Sequence, residues 1–247
     1  MNMLARQVRL EMRLFLRRKD DLFWTLAFPL FFIVLFGLIY QDMQWEDLGL
    51  RAIEYILPGI VVMALMTSGI MATASGFVEE RERGIYRRLS LTPLKRHTIM
   101  GGQLIQRYIV NLVQAALLLT VGVLAFDISI EGNPFWVWIV VTLGALCFLS
   151  IGFLLAGLIK TARAANGISM VVFFMFMFLG GIFFPNELMP DFLRAISSVL
   201  PSTNLNDVFR AVMIMDLGIG EVWRELLIAG GWFAGSFVLA VRLFRWE

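Results

Sequence analysis

Residues from which metal and redox sites are built are almost missing from this sequence. Its 247 residues include one cysteine and one histidine, so no disulfide, no Cys/His zinc cluster and no Cys/His catalytic pair can form within the chain. Charged residues make up only 16% of the sequence and hydrophobic residues 59%, whereas soluble domains contain about 25% charged residues. The composition therefore excludes an ordinary soluble protein. The net charge of +2 gives no reason to expect nucleic acid as a partner.

Six apolar stretches are long enough, or nearly so, to cross a bilayer, which takes about 20 residues. The first four contain no Lys, Arg, Asp or Glu: residues 22–40, 55–78, 108–126 and 135–159. The last two become long enough when flanking residues join them, with Arg224 and Glu225 reaching the membrane surface through their long side chains: residues 165–184 and 222–241. The sequence thus predicts an all-α integral membrane protein, with six transmembrane helices in a domain that covers residues 22–245.

The distribution of basic residues predicts how these helices are oriented. The segments between the stretches fall alternately on two sides, and one side carries 17 Lys and Arg while the other carries 4. Basic residues in short loops stay in the cytoplasm. We therefore expect a multi-pass protein of the cell membrane (plasma or inner membrane) with both termini cytoplasmic.

Residues 1–21 are too polar to cross the membrane, but their pattern predicts a helix. Its basic residues recur on one face: Arg6, Arg9, Arg13 and Arg17. Its apolar residues lie on the opposite face, which Glu11 interrupts: Leu4, Val8, Met12 and Phe15. This favours an amphipathic helix in the cytoplasmic interface, with membrane lipid as its partner. The alternative is a basic flank that only orients the first span.

A charged segment, residues 79–97, connects the second and third apolar stretches. Glu79 and Arg83 are spaced for an i,i+4 ion pair on a helix that continues from the second stretch. Gly84 permits a bend, after which residues 85–91 predict a short helix held across the ends of two spans. The alternative is a loop whose basic residues only keep it in the cytoplasm.

A proline-rich segment, residues 185–220, lies on the outer side before the last stretch. Pro185, Pro190 and Pro201 divide it, and each apolar face between them is only about two to three helical turns long. Because such helices are too short to span, we expect a re-entrant or interfacial helical hairpin. Asn204 and Asn206 would satisfy its free backbone groups. The alternative is an amphipathic surface loop.

Two of the predicted transmembrane helices carry further local patterns. The third is expected to begin at Thr92-Pro93, which supplies an N-cap and a first-turn proline. Polar residues that line a polar route or hydrogen-bond one another recur near its start: Gln103, Gln106, Asn111 and Gln114. In the sixth, Gly231 and Gly235 form a small-xxx-small pattern, for which we expect packing within the subunit, with packing across a dimer as the alternative.

Part of the charged segment has the form of a longer motif. The sequence ERERG at residues 80–84 is followed by Leu89 and by TPL at residues 92–94. This is similar to the pattern E-R-E-x-G-T…L…[ST]-P of one transporter family. Ile85 stands where that pattern usually has Thr, and Arg87 stands where Glu is frequent.

A second motif lies in the proline-rich segment and its approach. The sequence GIFFP at residues 181–185 is followed by LMP at residues 188–190, by Pro201 and by Arg210. This resembles the outer pattern G-x-x-F-P…L-P…P…R of the same family. With both motifs in these positions, nearly the whole chain resembles a permease subunit of the ABC-2 type of ATP-binding cassette transporters.

The resemblance implies the permease subunit of an ATP-driven exporter. Two such subunits would form the translocation pathway as a homodimer, and a separate ATPase subunit, which binds ATP and magnesium, would dock on the charged segment. The residues implied in that coupling are Glu79, Glu80, Arg81, Glu82, Arg83, Gly84, Arg87, Arg88 and Leu89. Those of the outer hairpin are Pro185, Pro190, Pro201 and Arg210.

The chain itself lacks the residues for binding ATP through a phosphate-binding loop. Gly152 and Gly157 have the spacing of that loop, but Leu158 and Ile159 follow where Lys and Ser or Thr are required. We therefore expect no catalytic, cofactor or metal site in this chain, and no enzyme. An ion-coupled secondary transporter would need Asp, Glu, Lys or Arg within the membrane, and the uninterrupted apolar stretches contain none of these residues. A multi-pass membrane enzyme acting on lipid would need clustered Asp, His or Glu, and the acidic residues are scattered.

Overall fold

Helices make up almost all of the structure. The computed structural model describes residues 3–40, 43–45, 50–89, 91, 95–182, 189–218 and 220–243. The predicted six transmembrane helices are confirmed, and we call them spans 1 to 6 in chain order: Phe23–Tyr40, Ala52–Glu82, His97–Phe126, Pro134–Leu158, Ala162–Leu179 and Trp223–Leu243. Shorter helices cover Met3–Arg17, Lys19–Leu22, Ile85–Leu89, Asp191–Ser197 and Pro201–Met213. Gln44–Trp45 and Leu50–Arg51 form a two-stranded antiparallel ladder.

The helices of spans 2 and 3 extend beyond their apolar stretches. Span 2 has 31 residues, which make a helix of about 46 Å, against a hydrocarbon core of about 30 Å. The helix of span 3 begins at Arg96, with Lys95 in the N-cap position. The predicted start at Thr92-Pro93 is therefore wrong, and residues 92–94 lie outside the described part. Hydrophobicity marked only the apolar centre of this helix, because its first turns are polar and contact protein.

The core is built around span 2. In the 18-residue stretch of highest hydropathy in each span, 83% of span 2 is buried inside the structure, compared with 67% of span 4 and 39% of span 3. The helix Pro201–Met213 is also buried along nearly its whole length. Spans 1, 5 and 6 are only 22%, 22% and 17% buried, so their apolar side chains face outward, as lipid-facing helices do.

The two ends of the bundle differ in chemistry. The charged segment, the helix Met3–Arg17 and the junction of spans 4 and 5 lie at one end, which we call the charged end. The helices Asp191–Ser197 and Pro201–Met213 lie at the opposite end, which we call the proline-rich end. Any signal between the ends must therefore pass along the spans.

Two spans contain π-helical turns. Phe23–Ala27 begins span 1, and Thr67–Ala72 interrupts span 2. Side chains bond to carbonyl groups of these turns: the Gln114 amide donates to the carbonyl of Thr25, and the Thr73 hydroxyl donates to the carbonyl of Ser68 at 3.0 Å. These bonds satisfy backbone groups that a regular helix would pair internally.

The helix Met3–Arg17 lies against span 3. Gln7 is buried there, and a Cβ atom at Gly102 would lie 2.4 Å from its Cγ. Glu11 is on the same face and accepts a hydrogen bond from the Gln7 amide at 2.8 Å, so the acidic interruption of the apolar face belongs to a protein contact. The basic residues of the opposite face are exposed. The position of this helix in the membrane interface stays a prediction.

The small-residue pattern of span 6 does not pack within the subunit. Among the described residues, nothing lies within 4 Å of a Cβ atom built on Gly231 or Gly235. Span 6 packs on span 4, and Ala229, Ser236 and Ala240 are its buried residues. The expected intramolecular packing of the two glycines is therefore wrong, because the contact face lies elsewhere on the helix.

Candidate functional site

The charged segment bends at Gly84. Span 2 ends at Glu82, and a short helix, Ile85–Leu89, follows the turn. Gly84 has φ +68°, in the left-handed region, and nothing lies within 4 Å of a Cβ atom built there. The position thus favours glycine for its backbone conformation and not for lack of space. The predicted bend and the short helix are both present.

Arg81 binds the carboxyl end of span 4. Its Nη1 donates to the carbonyl of Ala156 at 3.1 Å, and its Nη2 donates to the carbonyl of Ile159. The last carbonyl groups of a helix have no partner within the helix and carry partial negative charge. Arg81 therefore caps span 4 from a position 75 residues earlier in the chain.

Glu82 binds the amino end of span 5. Its carboxylate accepts a hydrogen bond from the backbone N–H of Ala162 at 3.0 Å. The first N–H groups of a helix lack internal partners, and a carboxylate there is favoured by the helix dipole. Arg81 and Glu82 together hold the junction between spans 4 and 5 against the end of span 2.

Glu80 is the acceptor of a hydrogen-bonded group behind the short helix. Its Oε2 accepts from the Tyr86 hydroxyl at 3.0 Å and from the Gln103 amide. Burial, and next the negative charge of Glu80, raise the pKa of Tyr86 above its ordinary value, so the hydroxyl keeps its proton and donates. Through this group, the short helix is bound to both span 2 and span 3.

Four of the other residues predicted for coupling face outward, and the fifth packs inward. Glu79 and Arg83 form the predicted i,i+4 ion pair, with side chains that are 42% and 63% exposed. Arg87 and Arg88 are exposed on the short helix, and the Arg88 guanidinium donates to the carbonyl of Arg83 at 3.2 Å. Leu89 packs on the apolar cluster beneath. The outward face of the segment is therefore predominantly basic.

Four side chains around Glu80 are absent from the residues predicted for this site: Glu11, Tyr86, Gln103 and Arg107. Burial, followed by the negative charge of Glu80, raises the pKa of Glu11. The guanidinium of Arg107 lies 5.6 Å from the centre of the Phe77 ring. The signals for this group were present in the sequence, since Glu11 interrupts an apolar face and Gln103 and Arg107 are one helical turn apart.

The predicted hairpin at the proline-rich end is a pair of short helices. Pro190 holds the N-cap position of Asp191–Ser197, and Pro201 is the first residue of Pro201–Met213, where its missing N–H costs nothing. Pro185 lies outside the described residues. Whether the pair is re-entrant stays a prediction.

Arg210 fixes this pair to the bundle. Its Nη2 donates to the carbonyl of Gly181 at 2.6 Å, and its Nε donates to the carbonyl of Tyr55 at 3.3 Å. The guanidinium also lies 3.6 Å from the centre of the Tyr55 ring. Gly181 has φ +62°, so its carbonyl is turned out of the helical path of span 5. Arg210 thus joins the beginning of span 2 to the end of span 5.

Two asparagines satisfy backbone groups, as predicted. The Asn206 amide donates to the carbonyls of Gly180 and Gly181 at 3.2 and 2.9 Å. The Asn204 amide donates to those of Ser198 and Leu200 at 2.9 and 2.7 Å. Both are buried, where an unpaired carbonyl would be costly.

Comparison with known proteins decides the family. Residues 5–214 match the family model described as "ABC-2 type transporter". The chain belongs to this family. It is a transport permease, a multi-pass membrane subunit and not an ATPase, and the resemblance carried by the two motifs is confirmed. Membership implies an ATP-binding cassette ATPase as a partner of this permease.

Bacterial relatives agree with this assignment. "Putative transport permease YvfS" of Bacillus subtilis is 30% identical over 233 residues, which are 92% of this chain and 91% of the relative. "Inner membrane transport permease YadH" of Escherichia coli is 29% identical over 205 residues, 80% of this chain and 75% of the relative. "Probable multidrug ABC transporter permease YbhR" of Escherichia coli is 25% identical over 184 residues, 74% of this chain and 50% of the relative.

Proposed function

We propose that this permease, as a homodimer, forms the translocation pathway of an ATP-driven exporter in the inner membrane of a bacterium. Its ATPase partner binds ATP and magnesium and docks from the cytoplasm on the charged segment. Both termini and the charged end are then cytoplasmic, and the proline-rich end is outside. The 17 to 4 division of basic residues supports this orientation.

The observation that carries the proposal is the attachment of the charged segment to four spans. Tyr86 of the short helix bonds to Glu80 of span 2, which also binds Gln103 of span 3, and the last residues of span 2 cap spans 4 and 5 through Arg81 and Glu82. A displacement of Ile85–Leu89 by a docked ATPase therefore acts on spans 2 and 3, and the end of span 2 passes it on to spans 4 and 5. Rigid-body movement of packed helices is the motion that such an attachment supports.

The docking surface is basic. Arg83, Arg87 and Arg88 face outward, so the matching surface of the ATPase should carry carboxylates. Exposed ion pairs contribute only about 0 to 1 kcal/mol each, so their removal one at a time should weaken docking modestly. Reversal of one charge adds repulsion and should have the larger effect.

The names of two relatives support membrane transport and an inner-membrane location. YadH is named an inner membrane transport permease, and YbhR a probable multidrug transporter permease. The chain spans about half the length of YbhR, so its cargo is not carried over to this permease.

Co-expression with the cognate ATPase tests the proposal. The expected product is a complex with two copies of each subunit that hydrolyses ATP, whereas the permease alone should not hydrolyse ATP. Arg87→Glu should reduce the amount of ATPase that co-purifies, and Arg194→Glu, an exposed change at the proline-rich end, should not. Normal recovery of the ATPase with Arg87→Glu, Arg88→Glu and the double variant would contradict docking at this segment.

A further inference from the structure

A cavity of about 470 Å³ lies at the charged end, between the helix Met3–Arg17 and spans 1, 2, 3 and 5. Sites for small organic molecules have volumes of about 300 to 1,000 Å³, so it has room for one. Both π-helical turns line it: Trp24 and Thr25 come from the first, and Ser68 and Met71 come from the second. Such turns occur frequently at functional sites.

Aromatic side chains line part of the cavity. Trp24 and Phe28 come from span 1, and Phe173 and Phe174 come from span 5. Trp24 is 59% exposed and Phe174 is 38% exposed, so the aromatic lining continues to the outer surface of the bundle. These exposed rings offer an apolar molecule a contact surface beside the opening.

Charged side chains also line the cavity. Glu11, Glu79 and Glu80 line it together with Arg18 and Arg107, and Glu79 is paired with Arg83, which lies outside the cavity lining. Glu11 and Glu80 lie close enough for the charge of Glu80 to raise the pKa of Glu11, and this effect is larger than the opposite effect of Arg107. The two carboxylates therefore repel each other beside the cavity.

We propose that this cavity binds a lipophilic organic cation, with the positive charge beside Glu11 and Glu80 and the apolar part against Trp24 and Phe174. A cation beside Glu11 and Glu80 relieves the repulsion between their carboxylates, and aromatic faces attract cations and not anions. An anionic amphiphile of equal size would be repelled by these two carboxylates. The proposal rests on the proposed function, since it names the cargo class of the exporter.

Binding should depend on pH in a defined direction. The groups that face Glu11 are Gln7 on its own helix, Glu79 and Glu80 on span 2, Gln103 and Arg107 on span 3, and Arg18 and Tyr86 at the rim. A bound cation stabilises the ionised form of Glu11. Protons compete with the cation for that carboxylate, so the affinity should fall as the pH is lowered through the raised pKa of Glu11.

A pair of probes of matched shape tests the sign of the charge. Tetraphenylphosphonium and tetraphenylborate differ in charge but share four phenyl groups. Equilibrium binding of each would be measured to the complex of permease and ATPase in phosphatidylcholine nanodiscs, after subtraction of binding to empty discs. Saturable binding of the phosphonium alone is expected. Saturable binding of the borate with equal affinity, or of neither probe, would overturn the proposal.

Two matched pairs of variants locate the site. Glu11→Gln keeps the shape and the hydrogen bond from Gln7, and it should raise the dissociation constant of the phosphonium about five- to tenfold. Glu131→Gln, an exposed change at the other end, should leave it unchanged. Trp24→Leu should raise it about three- to fivefold, whereas Trp223→Leu should not, although the two tryptophans are 59% and 56% exposed. Equal affinities of Glu11→Gln and the native permease would place the cation elsewhere.

The same preparations separate this proposal from the proposed function. If the complex assembles and hydrolyses ATP but does not bind the phosphonium, the cargo class is wrong and the exporter is retained. If the permease binds the phosphonium but no ATPase co-purifies, the cavity is retained and the ATP-driven mechanism is wrong.

Discussion

Glu82 accepts a hydrogen bond from the backbone N–H of Ala162 at 3.0 Å, although 80 positions separate the two residues. The bond joins the last residue of span 2 to the first residue of span 5. With Arg81 on the carbonyls of Ala156 and Ile159, it makes the ERERG motif a connection between helix ends. Its acidic and basic residues therefore hold the permease together before any ATPase is bound.

Removal of the Glu80 and Glu82 carboxylates should uncouple the transporter. Glu80→Ala leaves the buried Gln103 amide without this acceptor, and an unsatisfied buried donor costs about 1 to 3 kcal/mol. Glu82→Ala removes the cap from the exposed N–H of Ala162. We expect transport and cargo-stimulated ATP hydrolysis to be lost while membrane insertion stays normal. The double change Glu131→Ala with Glu221→Ala, at two exposed positions, is the control. Normal transport by the first variant would show that the motif is only a topological signal.

Whether a side chain is tolerated at position 84 should depend on the backbone conformation that the residue can adopt and not on its size. A β-branched residue in the left-handed region costs about 1 to 2 kcal/mol, whereas Asn is accepted there more readily. Space is open around the position, so the cost of valine comes from the backbone alone. Gly84→Val should therefore displace the short helix and abolish stimulated ATP hydrolysis. Gly84→Asn should retain most of it. Equal loss in both variants would show that any side chain blocks the docked ATPase.

Arg210 should stabilise the proline-rich end more than its single charge suggests. Arg210→Met removes the guanidinium donor from the carbonyl of Tyr55 and one of two donors from the carbonyl of Gly181, which Asn206 still binds, and Arg210→Lys cannot reproduce the planar fork that reaches both. We expect a loss of about 2 to 4 kcal/mol for the methionine variant, measured as a lower thermal unfolding midpoint in detergent. Arg194→Met, at an exposed position, should change the midpoint little. A midpoint unchanged by Arg210→Met would mean that the two carbonyls find other partners.

Single cysteines should report the orientation of the bundle. In a chain with buried Cys147 replaced by Ala, a cysteine at exposed Glu131 should react with an impermeant thiol reagent applied to intact cells. One at Leu91, which is 87% exposed, should react only after the membrane is opened. Gly132 is unsuitable for this purpose, because a Cβ atom there would lie 1.6 Å from the carbonyl oxygen of Val212. The reverse labelling pattern would invert the assigned topology.

Glu11 should make the docking of the N-terminal helix depend on pH. Burial, and then the charge of Glu80, raise its pKa above the ordinary 4.5. Because the folded pKa is the higher one, the stability contributed by the proton is present at low pH and is lost as the pH rises through the raised pKa. Hydrogen exchange of Met3–Arg17 should therefore be slower at about pH 5 than at about pH 8 after correction for intrinsic rates, and Glu11→Gln should remove this difference. A persistent difference in Glu11→Gln would assign the pH effect to another group.

The sequence was sufficient where the deciding interactions are local. The apolar stretches, the bend at Gly84 and the pair of Glu79 with Arg83 depend on spacings of a few residues, and the structure contains all of them. The inward roles of Arg81 and Glu82 depend on helix ends 75 to 80 positions away. No local pattern records such a partner, so the sequence predicts the pair, the bend and a docking surface for the ATPase but not the caps on spans 4 and 5.

The start of span 3 shows a second limit. Hydrophobicity ends near residue 108 and the capping pattern predicts a start at Thr92-Pro93, but the helix begins at Arg96. Its polar first turns bind the N-terminal helix and Glu80. Gln103 and Gln114 were expected to line a polar route or bond to each other, yet each bonds to a different helix. Their partners became apparent only with the packing of the spans.

The π-helical turn Thr67–Ala72 sets the angular position of everything that follows it in span 2. It accommodates one residue more than an α-helical turn, and one residue corresponds to a rotation of about 100° about the helix axis. Deleting one residue from this turn would restore a continuous α-helix and rotate Glu80, Arg81 and Glu82 by that angle, away from Gln103, Ile159 and Ala162. The extra residue thus sets the rotation of the second half of the helix. One helix can therefore present an apolar face to the centre of the bundle and, three turns later, place its charged side chains at the ends of the neighbouring helices.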